Sequence, residues 1–269
     1  MNITTARKTA PARQPVSRRR RLTGTVCLSM PALAVLAFGG QLLITGWFTE
    51  RAGGTHHVQD LAWGALEGVL LLGALTAVLL RRPCRPAVLL QSVAVVSAMA
   101  VTMVLVASPD PVTLVLAGLI VAGVLLRAEG GLLQGRHPSW ASSLLCALAA
   151  VPLAVWALSS AAAQRAGDGE HAELLGYTGV TAFALGLLAT LAVASLRQPG
   201  WRWSAGCAAV AAGVVGTASL LWPHDASSPG MMGGLALLAL GATSAITAAT
   251  DAKNEATARR HSKSTEGSL

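Results

Sequence analysis

Eight apolar runs, broken by short polar stretches, make up most of the chain: 22–47, 61–80, 87–107, 112–126, 141–163, 174–196, 204–222 and 230–250. Each mixes Leu, Ala, Val and Gly without the strict alternation of a half-buried strand. Most run to about 20 residues, the length at which a helix crosses a hydrocarbon core of ~30 Å. A transmembrane barrel would show alternating segments of about 10 residues instead. The pattern predicts an all-α polytopic membrane protein with eight transmembrane helices, the fourth being the shortest. The flanks, 1–21 and 251–269, are polar and basic and are expected to be disordered.

Charge gives the bundle a direction. The 20 Lys and Arg exceed the 12 Asp and Glu, a net charge of +8. The basic residues occupy tails and short loops rather than one face or stripe, so the excess predicts no nucleic-acid partner. With the N-terminus in the cytoplasm, 18 of the 20 basic residues fall on the cytoplasmic side, and only Arg51 and Arg165 lie outside. The positive-inside rule then requires an even number of spans and places both termini in the cytoplasm. Seven spans would put the basic C-terminal tail outside. Trp47, Trp63, Tyr177 and Trp222 fall at predicted outer helix ends, and Trp140, Trp201 and Trp203 at inner ones, as interfacial belts do.

Composition agrees: 53% of residues are hydrophobic and 12% charged, against about 25% charged in soluble domains, with mean hydropathy +0.58. The richness in Ala, Gly and Arg fits a high-GC bacterial genome, so the expected location is a bacterial inner (cell) membrane and the expected partner is its lipid bilayer. The first run is long, contains Pro31 and leads into further loops, which favours an uncleaved first helix over a signal peptide.

The halves resemble one another. His57, Leu61 and Trp63 recur at the same offsets as His171, Leu175 and Tyr177, and Pro31 pairs with Pro152. With four helices per unit the repeats are parallel, a 4+4 bundle of 22–126 and 141–250 joined by a cytoplasmic linker, 127–140.

Two places could carry chemistry. Glu67 is the acidic residue well inside an apolar run, about 9 Å below the expected helix start at Leu61. An intramembrane carboxylate is costly unless paired, hydrated or protonated. Gly64 and Gly68 form a close-packing surface beside it, and Gln41 is the expected hydrogen-bond partner. Function as a substrate or proton site competes with simple helix fastening. The second place is the outer face, where His57, Asp60, His171, His224 and Asp225 gather in sequence near His56, Asp110 and Glu173. Imidazole and carboxylate suit a transition metal or haem, although no His-x-x-x-His motif is present and outer loops also carry such residues merely because they face water. Cys27, Cys84, Cys146 and Cys207 lie towards the cytoplasmic side, match no Cys-x-x-Cys spacing, and are expected to be inert rather than disulfide-bonded.

No phosphate loop, dinucleotide fingerprint or catalytic-serine elbow occurs, so an enzyme has the least support. The leading expectation is a small-solute or ion transporter or permease using Glu67. The alternatives are a metal- or haem-handling protein using the outer residues, and a non-catalytic assembly partner, including a homo-oligomer. The topology predicts that alkaline phosphatase fused after residue 51, 110, 167 or 225 is active, whereas a cytoplasm-only reporter is active at either terminus. One inverted fusion would break the parity argument.

Overall fold

The computed structural model describes residues 18–48, 56–80, 86–128, 138–167, 170–173 and 175–266, with the side chains of 170, 171 and 252–266 left undescribed. The N-terminal tail up to residue 17 and Cys84 lie outside these. Among the described residues the apolar runs form α1 (Arg18–Thr45), α2 (His57–Leu80), α3 (Pro86–Val106), α4 (Pro111–Arg127), α5 (Trp140–Ala166), α6 (Gly176–Ser195), α7 (Trp201–Leu221) and α8 (Gly230–Glu266). One further turn, Glu170–Glu173, precedes α6, and no strand occurs among the described residues.

Seven of these helices are long and apolar enough to cross a membrane; α4, at 17 residues, is shorter. Their outward faces carry Leu33, Ile44, Val151, Val155, Met232 and Ile246, all well exposed. So much apolar surface is unfavourable in water and matches a lipid environment. The chain is a multi-pass membrane protein.

The boundaries at the two ends of the described chain differ from the sequence reading. Arg18–Arg21 are already helical in α1, where the sequence reading placed a polar tail, and Arg20 reaches α4: its Nη2 donates to the Leu125 carbonyl at 2.9 Å. The last four carbonyls of a helix have no partner within it, so this contact fixes both ends together. At the other terminus α8 runs on to Glu266, whereas the sequence reading ended the span at 250 and expected a disordered tail.

Helix α6 is the axis of the bundle. Of its most apolar window 78% is buried, against 17% for α5 and 22% for α8, which are therefore peripheral. Helices α2, α3, α5 and α7 surround α6, α1 and α4 pack beside α2 and α3, and α8 leans chiefly on α7. Small residues set the tightest crossings. A Cβ on Gly24 of α1 would lie 3.2 Å from the Gly123 carbonyl of α4, and one on Gly123 would lie 3.1 Å from the Gly24 carbonyl. The α7–α8 crossing repeats this reciprocity at Gly216 and Gly234, with 3.0 and 2.9 Å. In lipid, where apolar burial gives helices no reason to associate, such backbone approach supplies the packing.

Arg127 closes the end of the bundle where α1 begins. It is 6% exposed and reaches two other helices: Nη1 donates to Thr25 Oγ1 of α1 at 2.6 Å, and Nη2 to the Val78 carbonyl in the last turn of α2 at 2.9 Å. Only a planar fork spans both acceptors. Arg127→Met should lower stability by roughly 2–3 kcal/mol, the scale for charged hydrogen bonds at a buried acceptor. Arg127→Lys should fall between the two. Thermal unfolding in detergent reads both; a Lys variant as stable as wild type would show that charge alone suffices.

Candidate functional site

Glu67 does not lie in an ordinary α-helix. Residues Ala65–Leu71 of α2 form a π-helical segment, in which the Leu72 N–H reaches back five residues to the Glu67 carbonyl. Such widened turns are rare, are inserted into α-helices, and concentrate at functional sites. A shift in the ladder disturbs carbonyl pairing on its far side, and in lipid no water makes good the loss. Two neighbours donate there. Gln91 Nε2 of α3 bonds the Leu70 carbonyl at 2.8 Å, and Trp203 Nε1 of α7 bonds the Gly73 carbonyl at 2.9 Å. Gln91 is fully buried, and its Oε1 has no hydrogen-bond partner among the described residues.

The Glu67 side chain meets α1. A Cβ built on Gly39 would lie 2.6 Å from Glu67 Cβ and 2.8 Å from the Gly68 amide nitrogen, so the two backbones nearly touch. A Cβ built on Gly64 would likewise lie 2.7 Å from the Leu43 nitrogen of α1, and one on Gly68 would lie 2.5 Å from Leu43 Cδ1, so the Gly64–Gly68 pair does form a packing surface. Glu67 is 9% exposed, and among the described residues no hydrogen bond or ion pair reaches its carboxyl.

Two expectations about this site change. Gln41 is exposed, not beside Glu67. It lies two residues from Gly39, about 200° round the helix at 3.6 residues per turn, so the expected hydrogen bond is not formed. Depth changes as well: α2 starts at His57, ten residues before Glu67, or about 15 Å. That places the carboxyl near the middle of a 24-residue helix rather than in its outer part.

The helix-end cluster is a set of braces. His57 is buried in the first turn of α2 and stacks on Trp222 at 3.9 Å, with the rings 19° from parallel; Trp47 lies 5.9 Å from Trp222. His57 Nδ1 donates to the Gly46 carbonyl just past α1 at 2.7 Å, which assigns the proton to Nδ1 because a carbonyl only accepts. Asp225 Oδ2 accepts from the Val58 N–H at 3.1 Å, and its Oδ1 from Ser227 N–H and Oγ–H at 3.2 and 3.1 Å. His56, the residue preceding α2, makes no side-chain cap, so Asp225 performs that role from another loop. Asp60 is buried in the same turn as His57, His224 is exposed, and the backbone of His171 lies in the short turn before α6, its side chain being outside the described residues. Among the described residues no three His, Cys, Asp or Glu side chains are arranged to hold a metal ion. Asp110, from the same sequence cluster, caps α4: its carboxylate accepts from the Val112 and Thr113 amides, and the Thr113 hydroxyl hydrogen bond is the foremost cause holding its pKa below the usual value.

Cys27, Cys146 and Cys207 are free thiols, and Cys207 packs on Gly73. Gln91, Trp203 and Arg127 were not singled out as site or brace residues in the sequence, although Gln91 is the one amide in an otherwise apolar run and could have been. The chain matches no protein-family model, no curated protein and no solved structure.

Asp225→Ala removes the acceptor for three donors and should destabilise the protein by roughly 1–2 kcal/mol. Asp225→Asn keeps one carbonyl oxygen and should lose less, read as the two unfolding midpoints in detergent. Equal losses would assign the effect to charge at the helix end rather than to the hydrogen bonds.

Proposed function

We propose that this protein is a proton-coupled transporter of a small solute or ion in the bacterial inner membrane, with Glu67 as its proton site. The observation that carries this reading is the position of that carboxyl: mid-helix, in a π-helical segment, almost wholly buried, and met by no donor or cation among the described residues. An intramembrane carboxylate must gain a counter-charge. A proton is the counter-charge that needs no further side chain. The π turn adds a means of response, because a wide turn can exchange i−5 for i−4 hydrogen bonds and so rotate Glu67 against α1.

The reading takes α4 as an eighth span. Its 17 residues extend about 25 Å, capped by Asp110 at one end and tied through Arg127 and Arg20 at the other. With eight spans both basic termini share the cytoplasmic side. A 4+4 organisation is supported by Thr181, the counterpart of Glu67. Thr181 lies as far past His171 as Glu67 past His57. Its hydroxyl donates to its own helix at the Tyr177 carbonyl, 2.8 Å, and lies 3.2 Å from the Ala157 carbonyl of α5, so in each half the second helix turns a polar side chain towards the first. The starts of those helices differ: α2 is helical from His57, whereas Leu175 takes φ 55° and α6 begins at Gly176.

The test uses purified protein in proteoliposomes under an imposed pH gradient, with a panel of radiolabelled amino acids, sugars, carboxylates and cations. Wild type should accumulate one class only when the gradient is present. Glu67→Gln, which keeps shape but cannot release a proton, should reduce gradient-driven uptake by about 10²-fold or more, the scale at which positioned proton transfer matters. Unchanged uptake would remove Glu67 from the mechanism.

A further inference from the structure

The loop that joins α7 to α8, residues 222–229, is irregular, yet Asp225 in it is 5% and Ser227 2% exposed. It is folded on itself: the Asp225 N–H donates to the Trp222 carbonyl at 3.3 Å, and the Ser228 N–H to the Asp225 carbonyl at 2.8 Å. Two helices distant in sequence then hold it. The Trp222–His57 stack and the Asp225–Val58 hydrogen bond fasten it to the first turn of α2. On the other side, the Trp156 indole N–H of α5 donates to the Ser227 carbonyl at 3.3 Å. Trp156 stands ten residues before the end of α5, about 15 Å, so the loop lies beside that helix and not across its end.

Trp222 also covers the seam between α1 and α2. Its ring centre lies 3.9 Å from that of His57 and 5.9 Å from that of Trp47, which follows the last turn of α1. Glu67 meets α1 in the same seam, ten residues or about 15 Å further along α2.

Helices α7 and α8 form one body. Gly216 and Gly234 pack reciprocally, a Cβ on Gly241 would lie 2.8 Å from the Ala209 carbonyl, and Arg197 is ion-paired with Asp251. The end of α7 remote from the loop is tied to α2 by the Trp203–Gly73 hydrogen bond. Between α8 and α5 runs a groove of about 340 Å³, open along one side and walled almost wholly by hydrocarbon. Pro152 lies in its α5 wall, where the missing N–H leaves the helix one hydrogen bond short and easier to bend. Under the 4+4 pairing α1 and α4 are the counterparts of α5 and α8, and there backbone packs on backbone at Gly24 and Gly123. Lipid chains are as apolar as the groove walls, so exchanging lipid for protein in the groove costs little.

We propose that the 222–229 loop is a gate over Glu67, closed in this structure and opened when the α7–α8 pair tilts into the groove beside α5. The pivot is the Trp203–Gly73 tie, so the loop end moves furthest, as in a hinge. The tilt carries Asp225 off the Val58 N–H and Trp222 off His57, and so uncovers the α1–α2 seam. The Ser227 carbonyl keeps its bond to Trp156, towards which it moves. The inference rests on the transport reading in taking Glu67 as the group to be reached.

Access to Glu67 is read directly, without transport, by a water-soluble carbodiimide and an amine, which convert a reachable carboxyl into an amide. The full-length protein in nanodiscs is labelled, and the Glu67 peptide is followed by mass spectrometry. Wild type should label slowly. Asp225→Ala, which frees the loop from α2, should raise the rate roughly tenfold, the shift expected on losing a clasp of that strength. Ala236→Trp, which fills the groove from the α8 side, should lower the rate below wild type and cancel the effect of Asp225→Ala in the double variant. Ala239→Phe on the same wall repeats the test if the Trp variant does not fold. A rate unchanged by Asp225→Ala overturns the gate. So does a double variant that labels as fast as Asp225→Ala, because loosened folding would not depend on the groove. The expected labelling together with uptake unaffected by Glu67→Gln would support the gate and refute the transport reading.

Discussion

A peptide group in hydrocarbon has no water to turn to, so wherever a helix starts, stops or widens, a donor or acceptor must come from elsewhere in the chain. The junctions of this protein follow that constraint with side chains taken from distant positions. Arg127 serves the end of α2, Arg20 the end of α4, His57 the residue after α1, and Asp225 the start of α2. Gln164 joins the turn before α6 to α6 itself, its amide donating to the Ala172 carbonyl and its Oε1 accepting from the Thr178 N–H. Each bond has one end on a backbone group that the helix geometry leaves over, so the polar residues that hold the bundle together are those that end its helices.

The π-helical segment is the same constraint met inside a helix. Its extra residue would be expensive in lipid were Gln91 and Trp203 not placed to serve the carbonyls beyond it. Those two bonds come from two different neighbours, α3 and α7, and hold the far side of the turn, while glycines of α1 and α2 let the near side approach closely. Glu67 lies between these restraints. The backbone around it is braced, and the carboxyl itself is not. That asymmetry distinguishes it from Asp225, an equally buried acid whose oxygens both have donors.

The helices themselves could be read from the runs of apolar residues because length and absence of charge are what a bilayer selects. Most boundaries fell within a few residues, and the short fourth run is the short fourth helix. What the pattern could not hold was anything decided by rotation about a helix axis. Gln41 and Gly39 are neighbours in sequence, yet only Gly39 faces Glu67. The histidines and acids near the helix ends looked like ligands because their spacing in sequence says nothing of whether a carboxylate is already occupied by an amide, as that of Asp225 is. The π turn has no compositional mark in Ala65–Leu71 at all; its trace lies in Gln91, a buried amide on another helix.

The length of α8 has a mechanical corollary. From Asp251 to Glu266 the helix continues for 16 residues, about 24 Å, past its apolar part. Up to that point it is held along α7, by the reciprocal glycine contact at Gly234, by Gly241, where a Cβ would lie 2.8 Å from the Ala209 carbonyl, and by the Arg197–Asp251 ion pair. The length beyond Asp251 is therefore a lever with its fulcrum at that ion pair. A tilt too small to alter the packing at Gly241 sweeps the distant tip through several times that displacement, so a small shift of α7 is magnified at Glu266.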